Sequence, residues 1–267
     1  MLSSSSRAAQ ATKSLSIEQH QAPPRADRRA RLLTPGWDAR RHLYTSAGLA
    51  VAALVLGAWL ARAARAADLW IVPAYLLVSN LTEYLVHRLL MHRPLWPRTL
   101  YRNHTLGHHR AFHHDSMEIA SWRELDLVMM PWFSWLVFFT GVTPVVVMTA
   151  WALGGGAAGV LVLTAVISFV IYEGMHALYH LPVPLLTRLG LYDSRVFRFL
   201  YDHHRHHHRL KRMRWVNFNI SMPFSDRVFG SQEAEAAWRR ERDQRLEAQA
   251  SAGDAPGPAD DDGKHAA

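Results

Sequence analysis

The chain has 267 residues, no cysteine and a formal net charge of +8. Without cysteine it cannot form disulfides, thiolate zinc sites or iron–sulfur clusters, so any bound metal must use nitrogen or oxygen ligands. Nearly half of the residues are hydrophobic (49%), yet the mean hydropathy is close to zero because uncharged apolar runs alternate with basic segments. This composition indicates a membrane protein with one basic side, and the lack of any base-reading motif argues against a nucleic-acid partner.

The N-terminal part of the chain is polar and then turns apolar. Residues 1–35 are rich in Ser, Ala, Gln, Pro and Arg and lack the apolar core of a signal peptide, which predicts a disordered basic cytoplasmic arm. Leu43–Ala61 is an uncharged run long enough to cross a bilayer, and Leu69–Val86 follows after a connector that carries Arg62 and Arg65. These two runs are the predicted spans one and two.

Two further spans are predicted in the middle of the chain. Leu127–Tyr172 contains no charged residue, and Gly154-Gly155-Gly156 interrupts it where a helical hairpin would turn. In this four-span arrangement, Arg62 and Arg65 are the only two of the 30 Lys and Arg residues on the side opposite the termini. The positive-inside rule therefore predicts that both termini are cytoplasmic.

Charged residues return after span four. Pro184–Tyr201 mixes Leu and Phe with three arginines, which predicts one interfacial amphipathic helix. A polar helix is predicted around Glu233–Gln249, and composition predicts a disordered tail from Ala250. The chain thus divides into the arm, a membrane-embedded domain over residues 36–232, and a polar helix with its tail over residues 233–267.

Four histidine clusters lie at the cytoplasmic exits of the predicted spans or directly after them. The densest cluster has five histidines in the twelve residues of Asn103–His114. His104 and His108 are four residues apart and so share a helical face, with His109 about 100° round the helix. One helix here could therefore serve two metal ions.

Carboxylates accompany the histidines of spans two and four. Glu173, His176 and His180 stand at i, i+3 and i+7, on one stripe of a helix, and Glu83 precedes His87 by one turn. A carboxylate at the membrane edge is costly unless it is paired. We therefore expect Glu83 and Glu173 to accept the second N–H of metal-binding imidazoles and to fix their tautomers.

The last cluster can be aligned in two registers, both of the form His-x-x-His-His. We favour His204, His207 and His208, and the register His203, His206 and His207 stays open. The roles of two histidines at the end of the densest cluster also stay open: His113 and His114. Three histidines in polar surroundings are expected at the surface: His20, His42 and His265.

These motifs resemble the integral-membrane fatty acid hydroxylase/sterol desaturase superfamily, which includes fatty acid 2-hydroxylases, sterol oxidases and β-carotene hydroxylases. The matching segments are His87-Arg-Leu-Leu-Met-His92, His104-Thr-Leu-Gly-His108-His109, His176-Ala-Leu-Tyr-His180 and His204-Arg-His-His207-His208, with a C-terminal signature at Asn217-Phe-Asn219 and Asp226-Arg-Val-Phe-Gly230. The resemblance covers Leu69–Gly230. The chain departs from many members in having three residues, not two, before His108-His109, and in the extra histidines of the last cluster.

The resemblance implies an all-α fold: a four-helix transmembrane bundle with a His-rich cytoplasmic cap that holds a dinuclear metal centre. It implies ten metal ligands: His87, His92, His104, His108, His109, His176, His180, His204, His207 and His208. The implied cofactors are two iron ions, with zinc possible in isolated protein, and O2. Electrons would come from a separate ferredoxin or cytochrome b5-like protein, because no fused donor domain is visible.

The expected function is O2-dependent hydroxylation of a fatty-acyl, sterol or isoprenoid lipid that enters from the bilayer, and desaturation on the same scaffold is the alternative. A His-rich metal transporter fits less well, because spans one and three carry no polar ligands near the bilayer midplane. A zinc hydrolase on the same fold is a further alternative. The iron content separates the oxidative enzymes from both.

Overall fold

The computed structural model describes residues 25–234 and residue 240, and within this part all regular structure is helical apart from one isolated bridge between His113 and Ser116. The α-helices are α1 (Arg25–Ala30), α2 (Ala39–Ala61), α3 (Ile71–Leu85), α4 (Arg98–Tyr101), α5 (His109–Ala111), α6 (Ser134–Leu153), α7 (Gly155–Tyr179), α8 (Val183–Arg188), α9 (Arg195–His207) and α10 (Phe224–Val228). Two 3₁₀ turns, Ala66–Trp70 and Trp122–Leu127, and two π-helical segments, Val86–Met91 and Arg102–His108, complete the elements. Several predicted features lie wholly or largely outside the described residues: residues 1–24 of the arm, Glu233–Gln249, the tail from Ala250, His20 and His265.

Four helical stretches in the described part are long and apolar enough to cross a membrane, which confirms the predicted number of spans. They are Ala39–Ala61, Ala66–Met91, Ser134–Leu153 and Gly155–Tyr179. The first, second and fourth helices extend beyond the uncharged runs that predicted them, because helix caps and not charges end a helix, whereas the third begins only at Ser134, inside its run. At the start of α2, for example, the Asp38 carboxylate accepts a hydrogen bond from the Arg41 backbone N–H at 2.8 Å.

Small residues bring α2 and α7 into close contact. A Cβ atom added to Gly159 would overlap the backbone of Ala61, and one added to Gly156 would overlap the backbone of Ala63. Only glycine therefore permits this separation of the two helices, as is common where membrane helices cross. α7 is the most enclosed of the four spans, with half of its apolar window buried.

The connection between α7 and the last histidine cluster differs from the prediction. Instead of one amphipathic helix over Pro184–Tyr201, the chain forms α8 and α9 separated by a turn. Gly190 adopts a left-handed conformation (φ 70°) after the end of α8, and the Ser194 side chain caps the start of α9 by accepting from the Phe197 N–H. The apolar pattern continues through the break because both helices pack on the same cluster, which includes Leu186 and Leu200.

Two expectations for the N-terminal region are wrong. Part of the arm predicted to be disordered forms α1, and Arg29 on this helix is buried. His42, expected at the surface, is only 7% exposed and packs against Trp37 with 5.5 Å between ring centroids. In both cases polar sequence neighbours gave the wrong answer, because they do not show which helical face turns toward the protein.

Candidate metal centre

Two π-helical segments decide which histidines meet. On an α-helix, residues five apart point about 140° away from each other, whereas the i→i+5 bonding of a π-helix brings them to the same side. His87 is the second residue of Val86–Met91 and His92 directly follows this segment, with 3.2 Å between their Nε2 atoms. The five-residue spacing in the sequence is therefore compatible with a shared site only because the helix is π-helical here.

The second π-helical segment changes the predicted grouping of the densest cluster. His104 and His108 were expected on one face, but the Nε2 atom of His104 instead lies 3.1 Å from that of His109. His108 turns toward span four, where its Nε2 atom lies 3.3 Å from that of His176. The short helical stretch contributes to two histidine groups, as predicted, but with the partners exchanged.

The histidines converge into two buried groups whose candidate ligand atoms lie within 4.8 Å of one another. The first group consists of His87, His92, His104, His109 and His207. The second group consists of His108, His176, His180 and His204. His208 adjoins the second group, with its Nε2 atom 3.0 Å from that of His204 and 3.2 Å from that of His108. The structure thus brings together all ten histidines that the resemblance implied, and His176 and His180 lie in one group as their spacing predicted.

The register of the last cluster follows from its position on α9. His204 and His207 point into the two groups, and His208 joins them at the end of the helix. His203 instead lies 3.3 Å from an Asp226 oxygen, and His206 faces Glu233 at 3.5 Å. The structure therefore favours the His204 register. In the part of the chain that the structure describes, His113 and His114 belong to neither group.

Backbone carbonyls fix which nitrogen of each ring is free. A carbonyl oxygen only accepts, so the Nδ1 atom that faces it must carry the proton and Nε2 must carry the lone pair. This applies to five rings: His87 to Phe218, His108 to Leu127 (2.8 Å), His180 to Met117 (2.8 Å), His207 to Val216 (2.8 Å) and His208 to Phe112 (2.7 Å). His92 reaches the same state by donating to Thr105 Oγ1, whose own proton goes to the Met91 carbonyl.

The Nε2 atoms of these six rings are therefore acceptors, and where two of them meet, as in His92 and His207, an acceptor faces an acceptor. Neighbouring Nε2 atoms lie 2.8–3.3 Å apart, for example 2.9 Å between His92 and His207 and 3.2 Å between His180 and His204. Two nitrogens bound to one ion at ~2.1 Å would lie ~3.0 Å apart at a right angle and ~3.4 Å apart at a tetrahedral angle. The spacing of the rings fits a shared cation in each group.

Protonation is a poor alternative to a cation here. Burial lowers the pKa of His108 to about 4. For the following histidines, burial and then the proximity of other imidazoles hold the pKa well below 6.5: His92, His104, His109, His204, His207 and His208. The rings are therefore neutral at pH 7, which is the form that binds metal.

The expected contacts of Glu83 and Glu173 with imidazole N–H groups are wrong. Glu83 accepts from the backbone N–H groups of Ile220 and Ser221 and from the Ser221 hydroxyl, and Glu173 accepts from the Met130 N–H at 3.1 Å. Both carboxylates thus bind donors that lie outside their own helices and not the rings that follow them one turn later. Backbone carbonyls accept these ring N–H groups instead. They could not be predicted from the sequence, because every residue has a carbonyl and no sequence pattern marks the ones that bind histidines.

The C-terminal signature forms a loop that supplies two of these carbonyls. Asp226 is fully buried, and its carboxylate accepts from the N–H groups of Phe218 (2.9 Å) and Asn219 (2.7 Å) and from the Ser231 hydroxyl (2.7 Å). Burial alone would raise its pKa, but the hydrogen bonds from His203 and from these N–H groups hold the pKa below its ordinary value. The loop thereby presents the carbonyl of Phe218 to the first histidine group.

An apolar cavity of about 1070 Å³ adjoins the first group. It is lined by α3, α6, α7 and residues 221–224, and it runs from Ile71 at the start of α3 to His87 in the π-helical segment that follows α3. These two residues are sixteen apart, so the cavity follows α3 for ~24 Å, most of the ~30 Å hydrocarbon core of a bilayer. Its few polar lining residues, such as Asn80 and Thr82, leave room for a long apolar ligand.

The fold and the site define a polytopic membrane protein with a histidine-built candidate metal centre beside a cavity for an apolar ligand. A sequence profile described as fatty acid hydroxylase matches residues 72–231. The chain therefore belongs to the fatty acid hydroxylase family, which confirms the resemblance that the histidine motifs carried. The match includes nearly all of α3, the helices α6 and α7 and all four histidine clusters, but neither α1 nor α2. Comparisons with curated proteins and with solved structures give no match.

Proposed function

We propose that this protein hydroxylates a lipid with O2 at the cytoplasmic face of the membrane, using two iron ions held by the two histidine groups. The observation that carries the proposal is the convergence of Nε2 atoms 2.8–3.3 Å apart inside a buried, neutral shell, with six of the rings oriented so that Nε2 carries the lone pair. Family membership supports an oxidoreductase and iron as the metal. Imidazole suits several transition metals, so the family decides among them.

Bound iron would supply the oxidising power that cleavage of an unactivated C–H bond requires, with two electrons from outside the protein. The overall reaction inserts one oxygen atom of O2 into the C–H bond and releases the other as water, with uptake of two electrons and two protons. The residues of the chain would hold the iron ions and orient the imidazole rings. Backbone carbonyls fix the tautomers of His87, His108 and His180, and the enclosing cap excludes bulk water from the rings.

The cavity along α3 is the proposed substrate site. An acyl, sterol or isoprenoid chain entering from the bilayer would lie against apolar residues of α3, α6 and α7, with the carbon to be oxidised near His87 and Met91. Both residues line the cavity, and both belong to the π-helical segment Val86–Met91 at the end of span two. Burial of apolar surface would provide most of the affinity, ~25 cal/mol per Å².

The electron donor is proposed to be a separate ferredoxin or cytochrome b5-like protein, and both termini are proposed to be cytoplasmic. Basic side chains are concentrated on the cap side of the spans, where positive charge would favour an acidic partner. Mixing purified protein with reduced ferredoxin or cytochrome b5 and measuring substrate-dependent electron consumption tests this part of the proposal. No faster consumption with either donor would argue against it.

The function is tested by comparing lipids from a deletion strain, from the wild type and from strains complemented with single variants. A hydroxylase adds 16 mass units to one lipid class, whereas a desaturase removes two. We expect His92→Ala and His180→Ala to abolish the product, and His265→Ala, outside the four clusters, to retain it. An unchanged lipidome together with zinc or no metal in the purified protein would reject the oxidative function in favour of a hydrolase or a transporter.

A further inference from the structure

Arg29 connects the N-terminal helix α1 to the segment that surrounds the second histidine group. Its side chain is buried, at 7% exposure for the whole residue, and its guanidinium lies 4.5 Å from the centroid of the Phe112 ring. It donates to three carbonyls and one carboxylate: Ala111 (2.9 Å), Ser116 (2.6 Å), Glu118 (2.8 Å) and Glu124 Oε2 (2.8 Å). All four acceptors of the guanidinium come from one short stretch of the chain, residues 111–124.

The same stretch supplies the carbonyls that orient two rings of the second group. His208 donates from Nδ1 to the Phe112 carbonyl at 2.7 Å, and His180 donates from Nδ1 to the Met117 carbonyl at 2.8 Å. Phe112 directly follows Ala111 in the chain, and Met117 lies between Ser116 and Glu118. Each carbonyl that holds a histidine is thus next to a carbonyl that Arg29 holds.

We infer that Arg29 is a positioning residue for the second histidine group: it fixes the 111–124 segment so that Phe112 and Met117 hold His208 and His180 in the orientation that binds metal. This inference rests on the proposed metal centre but adds a determinant from outside the family match at residues 72–231. The rings of the first group have other partners: His87 and His207 use the carbonyls of Phe218 and Val216, and His92 uses the Thr105 hydroxyl.

The geometry requires arginine and not only positive charge. Lysine has a single ammonium nitrogen and cannot span four acceptors that are spread over a planar fork. Glu124 would lose its buried ion pair in Arg29→Ala, and the three carbonyls would lose their donor. We therefore expect Arg29→Ala to weaken metal binding at the second group 10–100-fold, the range for groups that orient metal ligands, with Arg29→Lys between it and the wild type. Arg28, exposed on the same helix, is the matched control, and Arg28→Ala should bind metal as the wild type does.

The test measures iron per chain in purified full-length protein at a series of chelator-buffered iron concentrations. Arg29→Ala is compared in three backgrounds: the wild type, His92→Ala, which removes a ring of the first group, and His180→Ala, which removes a ring of the second. If Arg29 acts through the second group, it should weaken binding in the wild type and in His92→Ala but have no further effect in His180→Ala. Hydrogen exchange of the metal-free protein should show faster exchange in 111–124 and unchanged exchange in residues 216–220.

A general loss of stability would lower iron binding by the same factor in both histidine backgrounds, and that result would overturn the inference. So would wild-type iron binding in Arg29→Ala. If Arg29→Ala is not recovered in folded form, Arg29→Lys is judged by the same criteria. A wild-type protein that binds no metal would reject the proposed function itself, whereas two ions bound with the same affinity in the wild type and in Arg29→Ala would reject only the role of Arg29.

Discussion

Replacing Asp226 by alanine should disturb the first histidine group from a distance. The carboxylate accepts two backbone N–H groups, the Ser231 hydroxyl and the His203 ring, and all of these contacts are buried. A hydrogen bond to a charged group contributes about 1.5–3 kcal/mol, and an unsatisfied buried donor costs about 1–3 kcal/mol. Because the donors share one acceptor and relax together, we expect a total loss of about 3–5 kcal/mol of stability, the range for breaking a buried charged pair.

The same change should act on metal binding, since the loop held by Asp226 carries the carbonyls of Phe218 and Val216 that orient His87 and His207. The assay is thermal unfolding together with iron titration of Asp226→Ala, Asp226→Asn and the exposed control Asp193→Asn. Asp226→Asn should also destabilise the protein, because the amide NH₂ group would face N–H or hydroxyl groups that now donate to the carboxylate. Asp226→Ala with unchanged unfolding and unchanged iron affinity would refute the role assigned to the loop.

The lowered pKa of Asp226 predicts how the stability of the protein changes with pH. Its pKa is lower in the folded protein than its ordinary value of 3.8, so its contribution to stability is present above that value. The contribution is lost as the pH falls through the folded pKa. Unfolding curves of the wild type should therefore shift to lower temperature more steeply below pH 4 than those of Asp226→Asn, and parallel curves would contradict the assignment.

Three further predictions concern the spans. Gly159→Leu should cost about 1–3 kcal/mol or more in thermal unfolding, because the side chain would overlap the backbone of α2, whereas Gly48→Ala, with open space around it, should not destabilise the protein. Glu173→Gln should change iron affinity by less than 10-fold in the same titration, since the amide oxygen can still accept from the Met130 N–H. Reporter fusions after Gly230 should report the cytoplasm, and a signal from the opposite side would refute the predicted topology.

The sequence was sufficient for the spans and, together with the family resemblance, for the ten histidines that come together in the fold. Uncharged apolar runs predict membrane helices without knowledge of their neighbours, and ten histidines in four spaced motifs predict convergence. The exchange of partners between His104 and His108 was not predictable in the same way. It depends on two π-helical segments, and the sequence pattern was interpreted with α-helical geometry.

The groups that orient the rings were the least predictable. Glu83 and Glu173 were chosen because a carboxylate near a histidine is visible in the sequence, yet backbone carbonyls take that role. Arg29 was hidden because it lies in a basic, polar arm, where a single buried arginine has no distinguishing pattern. Both errors have one physical cause: tertiary contacts with backbone acceptors leave no periodic signal in the chain.

The proposed function requires that each of the two histidine groups hold one ion. Elemental analysis of protein expressed with iron measures this directly, in the wild type and in His92→Ala and His180→Ala, one variant for each group. We expect about two iron ions per chain in the wild type and about one in each variant, with membrane insertion unchanged. One ion or none in the wild type, or the same content in all three proteins, would contradict the claim.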